Sequence, residues 1–191
     1  MHTTIVYSHP WNGSFNKAIL TSAADALNES EKELFLIDLY RDGFDPLMTR
    51  SELEHFSNGE AIDSMVAQYQ MILKNTDEII FIFPIWWHNA PAMLRGFLDK
   101  VMLKGAAYNE EGNEMIPIWN IEKTLVITTS EATTDTLVND CGNPIGGTFI
   151  SATLKGLGMY NGEWLNCGHI KETTDQERAD FLEKVREAVT K

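Results

Sequence analysis

Residues 78–83 (EIIFIF) are the segment that most restricts how this chain folds. Five consecutive apolar residues without polar alternation are typical of a strand buried on both faces of a parallel sheet. Residues 123–128 (KTLVIT) repeat the pattern, and residues 3–8, 33–39 and 163–167 are shorter runs rich in β-forming residues. The sequence therefore predicts five strands of a parallel sheet.

Segments with helical spacing separate these strands. Ser14 is suited to cap a helix whose apolar positions 18, 19, 23 and 27 recur at helical intervals. Further helical patterns cover residues 51–56, 62–73, 91–102, 149–157 and 175–189. Strands that alternate with helices predict an α/β fold with right-handed crossovers and helices on both faces of the sheet. A length of 191 residues suits a single domain of this kind.

Three segments follow the carboxyl ends of predicted strands, where ligands bind in folds of this class. The first, residues 9–16 (HPWNGSFN), leads into a helix whose free N–H groups and dipole favour an anion, and Ser14 and Asn16 add side-chain donors. A capped helix start without a ligand explains the same residues equally well. The patterns GxGxxG and GxxxxGK(S/T) are absent, which disfavours a Rossmann dinucleotide site and a nucleotide triphosphatase.

The second segment, residues 84–91 (PIWWHNAP), carries two adjacent tryptophans, Trp86 and Trp87. Two neighbouring loop tryptophans cannot easily both point into a core, and exposed large aromatics usually bind something. They are suited to line a flat ring system such as isoalloxazine. The alternative is that one packs inward and the other lies at a dimer contact. The third segment begins TTSEATT at residue 128, and its hydroxyls and amides suit either a pyrimidine-like ring edge or a simple turn.

The three segments together resemble one family. The motifs are HP-x3-SFN-x-A, FP-x2-W-x3-PA-x-LRGF-x-D-x-V, and TT after the next strand. They resemble the flavodoxin-like NAD(P)H quinone reductases, which include DT-diaphorase, the modulator-of-drug-activity-B proteins and the ancillary oxidoreductases of potassium efflux systems. The resemblance covers nearly the whole chain and implies a flavodoxin-like fold.

The resemblance also implies a flavin site. Residues expected at the flavin phosphate and ribityl chain are His9, Ser14, Phe15, Asn16 and Ala18. Residues expected at the isoalloxazine and ribityl chain are Pro84, Ile85, Trp86 and Trp87, with Thr128, Thr129 and Ser130 across the ring. Residues expected near the substrate are His88, Tyr108 and Glu131.

Glu131 marks a departure from the family pattern. Relatives often carry Gly-Gly after the TT pair, whereas this chain has Ser130 and Glu131. A carboxylate here is expected to shape the pocket or to repel anionic substrates. The tyrosine and histidine that assist hydride transfer in DT-diaphorase have no clear counterparts, so no catalytic residue is assigned.

The function implied by the resemblance is two-electron transfer from NADH or NADPH, through FMN or FAD, to a quinone or another small electrophile. A homodimer with substrate pockets at its interface is also implied. Two alternatives stay open: a one-electron carrier of the flavodoxin type, and a flavin-binding regulatory subunit of a membrane transporter.

Charge and composition further limit the partners and the cellular location expected for this chain. A net charge of -13 argues against nucleic acid and against an anionic membrane surface as a partner. No apolar run approaches the roughly 20 residues that span a bilayer, and the first residues lack the basic flank of a signal peptide. Two cysteines outside any CxxC motif suit a reducing cytoplasm, and the histidines show no metal-ligand spacing.

Overall fold

The computed structural model describes residues 1–191 and contains seven strands. In chain order they are β1 (His2–Tyr7), β2 (Glu33–Asp38), β3 (Glu78–Pro84), β4 (Tyr108–Glu111), β5 (Glu114–Pro117), β6 (Lys123–Thr129) and β7 (Gly162–Cys167). Five of them form one sheet in the order β2-β1-β3-β6-β7, and each neighbouring pair is parallel. The prediction of a five-stranded parallel sheet is confirmed.

Six α-helices connect and cover the strands. They are α1 (Phe15–Glu29), α2 (Arg50–His55), α3 (Ser64–Lys74), α4 (Ala92–Val101), α5 (Thr134–Asn139) and α6 (Asp175–Thr190). A 3₁₀ turn, Phe56–Asn58, follows α2, and a π-helix, Pro144–Leu154, follows α5. None of the helices combines the length and apolar character needed to cross a bilayer.

Two apolar layers lie on opposite faces of the sheet, as the alternation of side chains along a strand requires. Ile5 and Tyr7 of β1 join residues of α1 and α6 in one layer. Val6 joins residues of α3, α4 and the π-helix in the other, larger layer. All seven residues of β3 are buried, so helices on both faces cover the apolar run at residues 78–83. The expected placement of helices on both faces is confirmed.

The hairpin of β4 and β5 was not predicted from the sequence. Its strands are mostly exposed and polar, so they lack an apolar signal, and Gly112 takes a left-handed φ of 63° in the connecting turn. Tyr108, which the family resemblance implies to lie near the substrate, is the first residue of β4. A sequence prediction based on buried alternation misses strands of this kind.

The segment between β6 and β7 also differs from the prediction. The sequence predicts a helix over residues 149–157, whereas the π-helix begins at Pro144, after Asn143 with a left-handed φ of 52°. A π-helix repeats at a longer interval than an α-helix, so a search at the α-helical period misplaces its start. Its Phe149 packs edge-on against Phe81 and Phe83 of β3, with ring centroids 5.7 and 5.3 Å apart.

The strand order fixes where a ligand can bind. β1 has β2 on one side and β3 on the other, so the chain reverses its direction of winding at β1. The carboxyl ends of β1, β3 and β6 are in register, with Tyr7 beside Ile82 and Pro84 beside Thr129. Ligands of open α/β sheets bind at this switch point, and the three segments identified from sequence meet there.

Candidate functional site

A cavity of ≈ 690 Å³ opens at the carboxyl edge of the sheet. Its walls come from the segments that follow β1, β3, β6 and β7. Pockets that hold small ligands or cofactors commonly measure about 300–1,000 Å³, so this cavity has the size of a cofactor site. Twelve of the fifteen residues predicted from sequence line it, and the other three do not.

The first segment contributes His9, Ser14, Phe15 and Asn16 to the wall. Ser14 is the N-cap of α1, as predicted, and its Oγ accepts a hydrogen bond from the Lys17 N–H at 3.2 Å. The first turn of α1 has no acidic side chain. Because the first N–H groups of a helix lack intrahelical acceptors, this end of α1 is electropositive and suited to an anion.

Asn16 lies deep in the wall and is only 3% exposed. Its Nδ2 donates to Thr129 Oγ1 at 2.8 Å, but its Oδ1 has no hydrogen-bond partner. A buried amide oxygen without a partner is costly in a folded protein. The wall therefore presents an acceptor that a ligand O–H or N–H can satisfy.

His9 is the first residue of the first segment, residues 9–16. Burial lowers the pKa of His9. The neutral imidazole accepts the Trp11 N–H at Nδ1, 3.1 Å away, so Nε2 carries the hydrogen. The His9 ring meets the Trp86 ring edge-on at 6.3 Å between centroids. His9 thus links the first segment to the aromatic one.

The second segment contributes Pro84, Ile85, Trp86, Trp87 and His88 to the wall. Residues 86–89 form a tight turn, named here the aromatic turn, in which Trp86 and Asn89 exchange two backbone hydrogen bonds of 3.0 Å. Its two central residues, Trp87 and His88, have left-handed φ angles of 50° and 59°.

The conformation of the aromatic turn is strained. A left-handed backbone costs about 1–2 kcal/mol for a residue other than glycine. Strained residues persist where the surrounding structure imposes them, often at functional sites. The result here is that Trp87 stands 97% exposed at the lip of the cavity and Trp86 is partly exposed. Neither tryptophan packs in the core.

The third segment contributes Thr129, Ser130 and Glu131. The Ser130 hydroxyl donates to the Ala132 carbonyl at 2.7 Å and accepts from Asn166 Nδ2 at 2.9 Å, which fixes the backbone after β6. The Glu131 carboxylate pairs with Lys171 at 2.5 Å, and both side chains are more than 70% exposed. The lone carboxylate expected from the sequence is thus neutralised by a lysine.

Three predicted residues lie outside the cavity wall. Thr128 is fully buried one residue before Thr129 and faces the opposite side of β6, where it donates to Asn166 and accepts from Trp164 at 2.8 Å each. Ala18 lies further along α1 and lines a neighbouring open groove. Tyr108 lies in the hairpin. The structure does not bring these three to the cavity.

The segment after β7 also lines the cavity and was not assigned to the site from sequence. It contributes Ile170 and Lys171. Arg178 of α6 holds it by donating to the Ile170 carbonyl at 3.1 Å and to Thr173 Oγ1 at 2.9 Å. The carboxyl ends of β7 and β6 lie at the same edge of the sheet. This position could have indicated from the sequence that the segment after β7 lines the cavity. Trp11, Ala132 and Leu137 are further wall residues that sequence reasoning did not identify.

The residues of the wall fit a flavin. The amino end of α1 suits a phosphate, the unpartnered Asn16 Oδ1 suits a ribityl hydroxyl, and the aromatic turn suits a flat ring. No group of three or more His, Cys, Asp or Glu side chains is arranged to hold a metal ion.

Comparisons with known proteins identify relatives of this chain. An NAD(P)H oxidoreductase of Haemophilus influenzae is 32% identical over 117 residues, or 61% of this chain and 57% of that protein. NAD(P)H dehydrogenase (quinone) 1 of Rattus norvegicus is 32% identical over 124 residues, or 54% of this chain and 44% of that protein. The matches thus span about half the length of these relatives.

A solved structure matches over a longer range. The NAD(P)H:quinone oxidoreductase of Methanothermobacter marburgensis is 26% identical, with a TM-score of 0.88, over 100% of this chain and 98% of that one. The sequence profile of a family described as having a flavodoxin-like fold matches residues 1–189. The chain therefore belongs to this flavodoxin-like family.

Proposed function

We propose that this chain is a flavin-dependent NAD(P)H oxidoreductase that passes two electrons to a quinone or a similar small electrophile. The observation that carries the proposal is the meeting of the α1 amino end and the aromatic turn in one cavity. The activities named for the rat and Methanothermobacter relatives support the same reaction class.

Different residues of the wall would bind different parts of the flavin. Ser14 and the first N–H groups of α1 would hold the flavin phosphate, and Asn16 Oδ1 would accept from the ribityl chain. Trp86 and Trp87 would shield the ring from water on the side of the aromatic turn. A bound flavin supplies the two-electron chemistry between NAD(P)H and the acceptor, while the protein supplies position and electrostatics.

The cavity has no strong acid–base pair, and the proposed reaction needs none in the protein. His9 is a neutral donor through Nε2, because burial lowers its pKa and Nδ1 is already engaged. Glu131 and Lys171 cancel each other's charge at the lip. The wall is therefore close to electrically neutral apart from the helix end, which suits an uncharged acceptor.

The deciding experiment is anaerobic stopped-flow spectroscopy on the purified protein. Release of the flavin by denaturation and mass analysis first distinguishes FMN from FAD. NADH and NADPH are then tested in turn, followed by 2-methyl-1,4-naphthoquinone as acceptor. We expect loss of the flavin's visible absorbance with one of the donors and its return with the quinone. A flavin that stays oxidised in excess donor contradicts the enzyme assignment and favours an electron carrier.

A variant links this activity to the cavity. Ser14→Asp keeps a good N-cap residue but places a negative charge where the phosphate would bind. We expect it to remain folded and to lose bound flavin. Thr49→Asp makes the same exchange at the N-cap of α2, outside the cavity, and should retain flavin. Equal flavin content in both variants would place the flavin elsewhere.

We further propose that the active form is a homodimer, as the family resemblance implies. The exposed Trp11 and Trp87 beside the cavity support this, because large exposed aromatics are enriched at interfaces. Sedimentation velocity should give twice the mass of 21.6 kDa. A monomer at all concentrations contradicts the proposal.

A further inference from the structure

Side chains of β6 and β7 form a chain of hydrogen bonds that ends at the cavity wall and is named here the polar ladder. Trp164 Nε1 donates to Thr128 Oγ1 at 2.8 Å, and Thr128 Oγ1 donates to Asn166 Oδ1 at 2.8 Å. Asn166 Nδ2 donates to Ser130 Oγ at 2.9 Å, and Ser130 Oγ donates to the Ala132 carbonyl at 2.7 Å. Of these five residues, Ser130 and Ala132 line the cavity and the other three do not.

The Trp164 indole sets the direction of the polar ladder, because an indole N–H can only donate. It occupies a lone pair of Thr128 Oγ1, so the Thr128 hydrogen is free to donate to Asn166. The Asn166 atom that faces Thr128 is therefore the amide oxygen, and the amide nitrogen faces Ser130. Since Asn166 donates to it, Ser130 keeps its own hydrogen for the Ala132 carbonyl. The Asn166 amide thus has one orientation, in which it holds Ser130.

The backbone of residues 130–132 is held against the end of β7 by further contacts. The Ser130 N–H donates to the Cys167 carbonyl and the Ile170 N–H donates to the Ser130 carbonyl, both at 3.0 Å. A Cβ at position 168 would lie 2.9 Å from the Ala132 carbonyl oxygen, which is closer than real Cβ atoms come. The missing side chain of Gly168 therefore lets Ala132 lie directly against the segment after β7.

The polar ladder lies on the face of the sheet that is opposite to α1. Trp164 packs against the larger apolar layer, which includes Val126 of β6, whereas the buried residues of α1 belong to the other layer. Thr128 is two residues after Val126 in the same strand, so it faces the same side. The ladder therefore fixes a part of the cavity wall from the side away from α1, whose amino end suits an anion.

We propose that Asn166 is a positioning residue for the ligand of the cavity, because through Ser130 it holds residues 130–132 as a fixed wall against which the ligand rests. A wall that is already ordered before binding spares the ligand the free-energy cost of ordering it, so a loosened wall should weaken binding. In identifying this ligand as a flavin, the inference rests on the proposed function. The weakening should be independent of the flavin phosphate, which would bind at the amino end of α1.

The test breaks the polar ladder at two points and measures flavin binding. Flavin-free protein is titrated with FMN and with riboflavin, which lacks the phosphate, and flavin fluorescence gives the dissociation constants. We expect Asn166→Leu to weaken both ligands by the same factor of about 3- to 10-fold, the range that one hydrogen bond is worth. Thr128→Val interrupts the ladder one step earlier and should act in the same direction. Thr128→Ser keeps the hydroxyl and should stay within about 2-fold of the wild type.

Hydrogen exchange measured by NMR reports on the wall without any ligand. The amides of Ser130 and Ile170 close the backbone bonds of the wall, so they exchange when the wall opens locally. In flavin-free Asn166→Leu and Thr128→Val, both amides should exchange about 10-fold faster than in the wild type, the factor expected for a lost hydrogen bond.

Thr4→Val is the matched control. Thr4 is a fully buried threonine of β1 whose hydroxyl bonds to Thr76 at 2.7 Å, outside the cavity wall. This variant should lower the thermal midpoint but leave flavin affinity and the exchange of Ser130 and Ile170 unchanged. If Asn166 contributed only to stability, Asn166→Leu would behave in the same way.

The outcomes separate the inference from the proposed function. A wild type that binds neither FMN nor riboflavin contradicts the proposed function, and exchange in the flavin-free protein then decides whether Asn166 holds the wall. Unchanged exchange at Ser130 and Ile170 in Asn166→Leu would overturn the inference. Faster exchange with unchanged flavin affinity would also overturn it, because the ligand would then not depend on the wall. A loss confined to FMN, or an equal loss of affinity in Thr4→Val, would overturn it as well.

Discussion

Asn16 in α1 and Thr129 in β6 are joined by a hydrogen bond of 2.8 Å from Asn16 Nδ2 to Thr129 Oγ1. Both residues are buried and both line the cavity, although they lie 113 positions apart in the chain. The bond ties the first segment to the third segment across β3. It also fixes the orientation of the Asn16 amide, so that its unpartnered Oδ1 is held in one place.

Thr129→Val should therefore destabilise the fold and weaken ligand binding together. Valine has the shape of threonine but leaves Asn16 Nδ2 buried without an acceptor, which costs about 1–3 kcal/mol. Urea unfolding of the flavin-free protein measures this cost. Thr129→Ser keeps the hydroxyl and should lose much less. Equal losses in both variants would mean that the methyl packing of Thr129 matters and the hydrogen bond does not.

The aromatic turn predicts a stabilising substitution. Its geometry, with two left-handed central residues, is that of a type I′ turn, whose second central position favours glycine. His88→Gly should raise the free energy of unfolding by about 1 kcal/mol, since it removes a strained side chain from an exposed turn. His88→Ala removes the imidazole but keeps a Cβ, so it should give no such gain. If both variants are stabilised alike, the imidazole was the source of the cost.

Much of the fold could be predicted because its signal is local. The apolar run at residues 78–83 became a wholly buried β3, and Ser14 became the N-cap of α1. The meeting of the three segments also followed, because the carboxyl ends of parallel strands share one edge. The periodicity of the apolar residues and the capping residue of α1 were thus enough to predict the architecture and the position of the cavity.

Three other features of the structure leave no pattern in the local sequence from which they could be predicted. Thr128 and Thr129 are equivalent in sequence, but the pleat of β6 turns only Thr129 toward the cavity. The pairing of Glu131 with Lys171 joins loops 40 positions apart, and no local pattern marks it. The exposed hairpin of β4 and β5 offered no apolar alternation. For the threonines and the ion pair the deciding neighbour is distant in the chain, whereas the hairpin pairs locally but is too polar and exposed to leave an apolar pattern.

At the opposite edge of the sheet, Glu78 should control stability in acid. Its side chain is 9% exposed and pairs with Lys32 at 2.8 Å and Lys123 at 3.4 Å. Burial raises the pKa of Glu78, but Lys32, Lys123 and the Thr3 hydroxyl outweigh it, so the net pKa is lower than the usual 4.5. A lowered pKa means that the stabilisation is complete above the unfolded value of 4.5 and is lost as pH falls through the folded value.

Glu78→Gln tests this dependence. It leaves two partly buried ammonium groups without their carboxylate, so it should cost about 3 kcal/mol at neutral pH. The difference between wild type and variant should shrink as pH falls below 4.5. Glu33→Gln removes an exposed partner of His2 and should change stability by less than about 1 kcal/mol. Urea unfolding across a pH series gives both curves, and a constant difference at every pH would contradict the assignment.

In the proposed reaction, the ion pair of Glu131 and Lys171 should determine how well the enzyme uses an anionic acceptor relative to an uncharged one. Both side chains are exposed, and Lys171 is the lysine of the cavity wall, so an anionic acceptor competes with Glu131 for it. Glu131→Gln should raise kcat/KM for a naphthoquinone sulfonate about 2- to 5-fold, the range expected of an exposed ion pair, and leave an uncharged quinone unaffected. Lys171→Gln should act in the opposite direction on the sulfonate.

Two controls complete this test, namely high ionic strength and a distant ion pair. Screening at high ionic strength should reduce both effects, because the charges are exposed to solvent. Glu54→Gln breaks the equally exposed pair with Arg50, outside the cavity wall, and should leave both acceptors unchanged. An equal change for charged and uncharged quinones would show that Glu131 acts through the shape of the cavity. A change that persists in high salt would argue for a direct contact with the acceptor instead of a long-range charge effect.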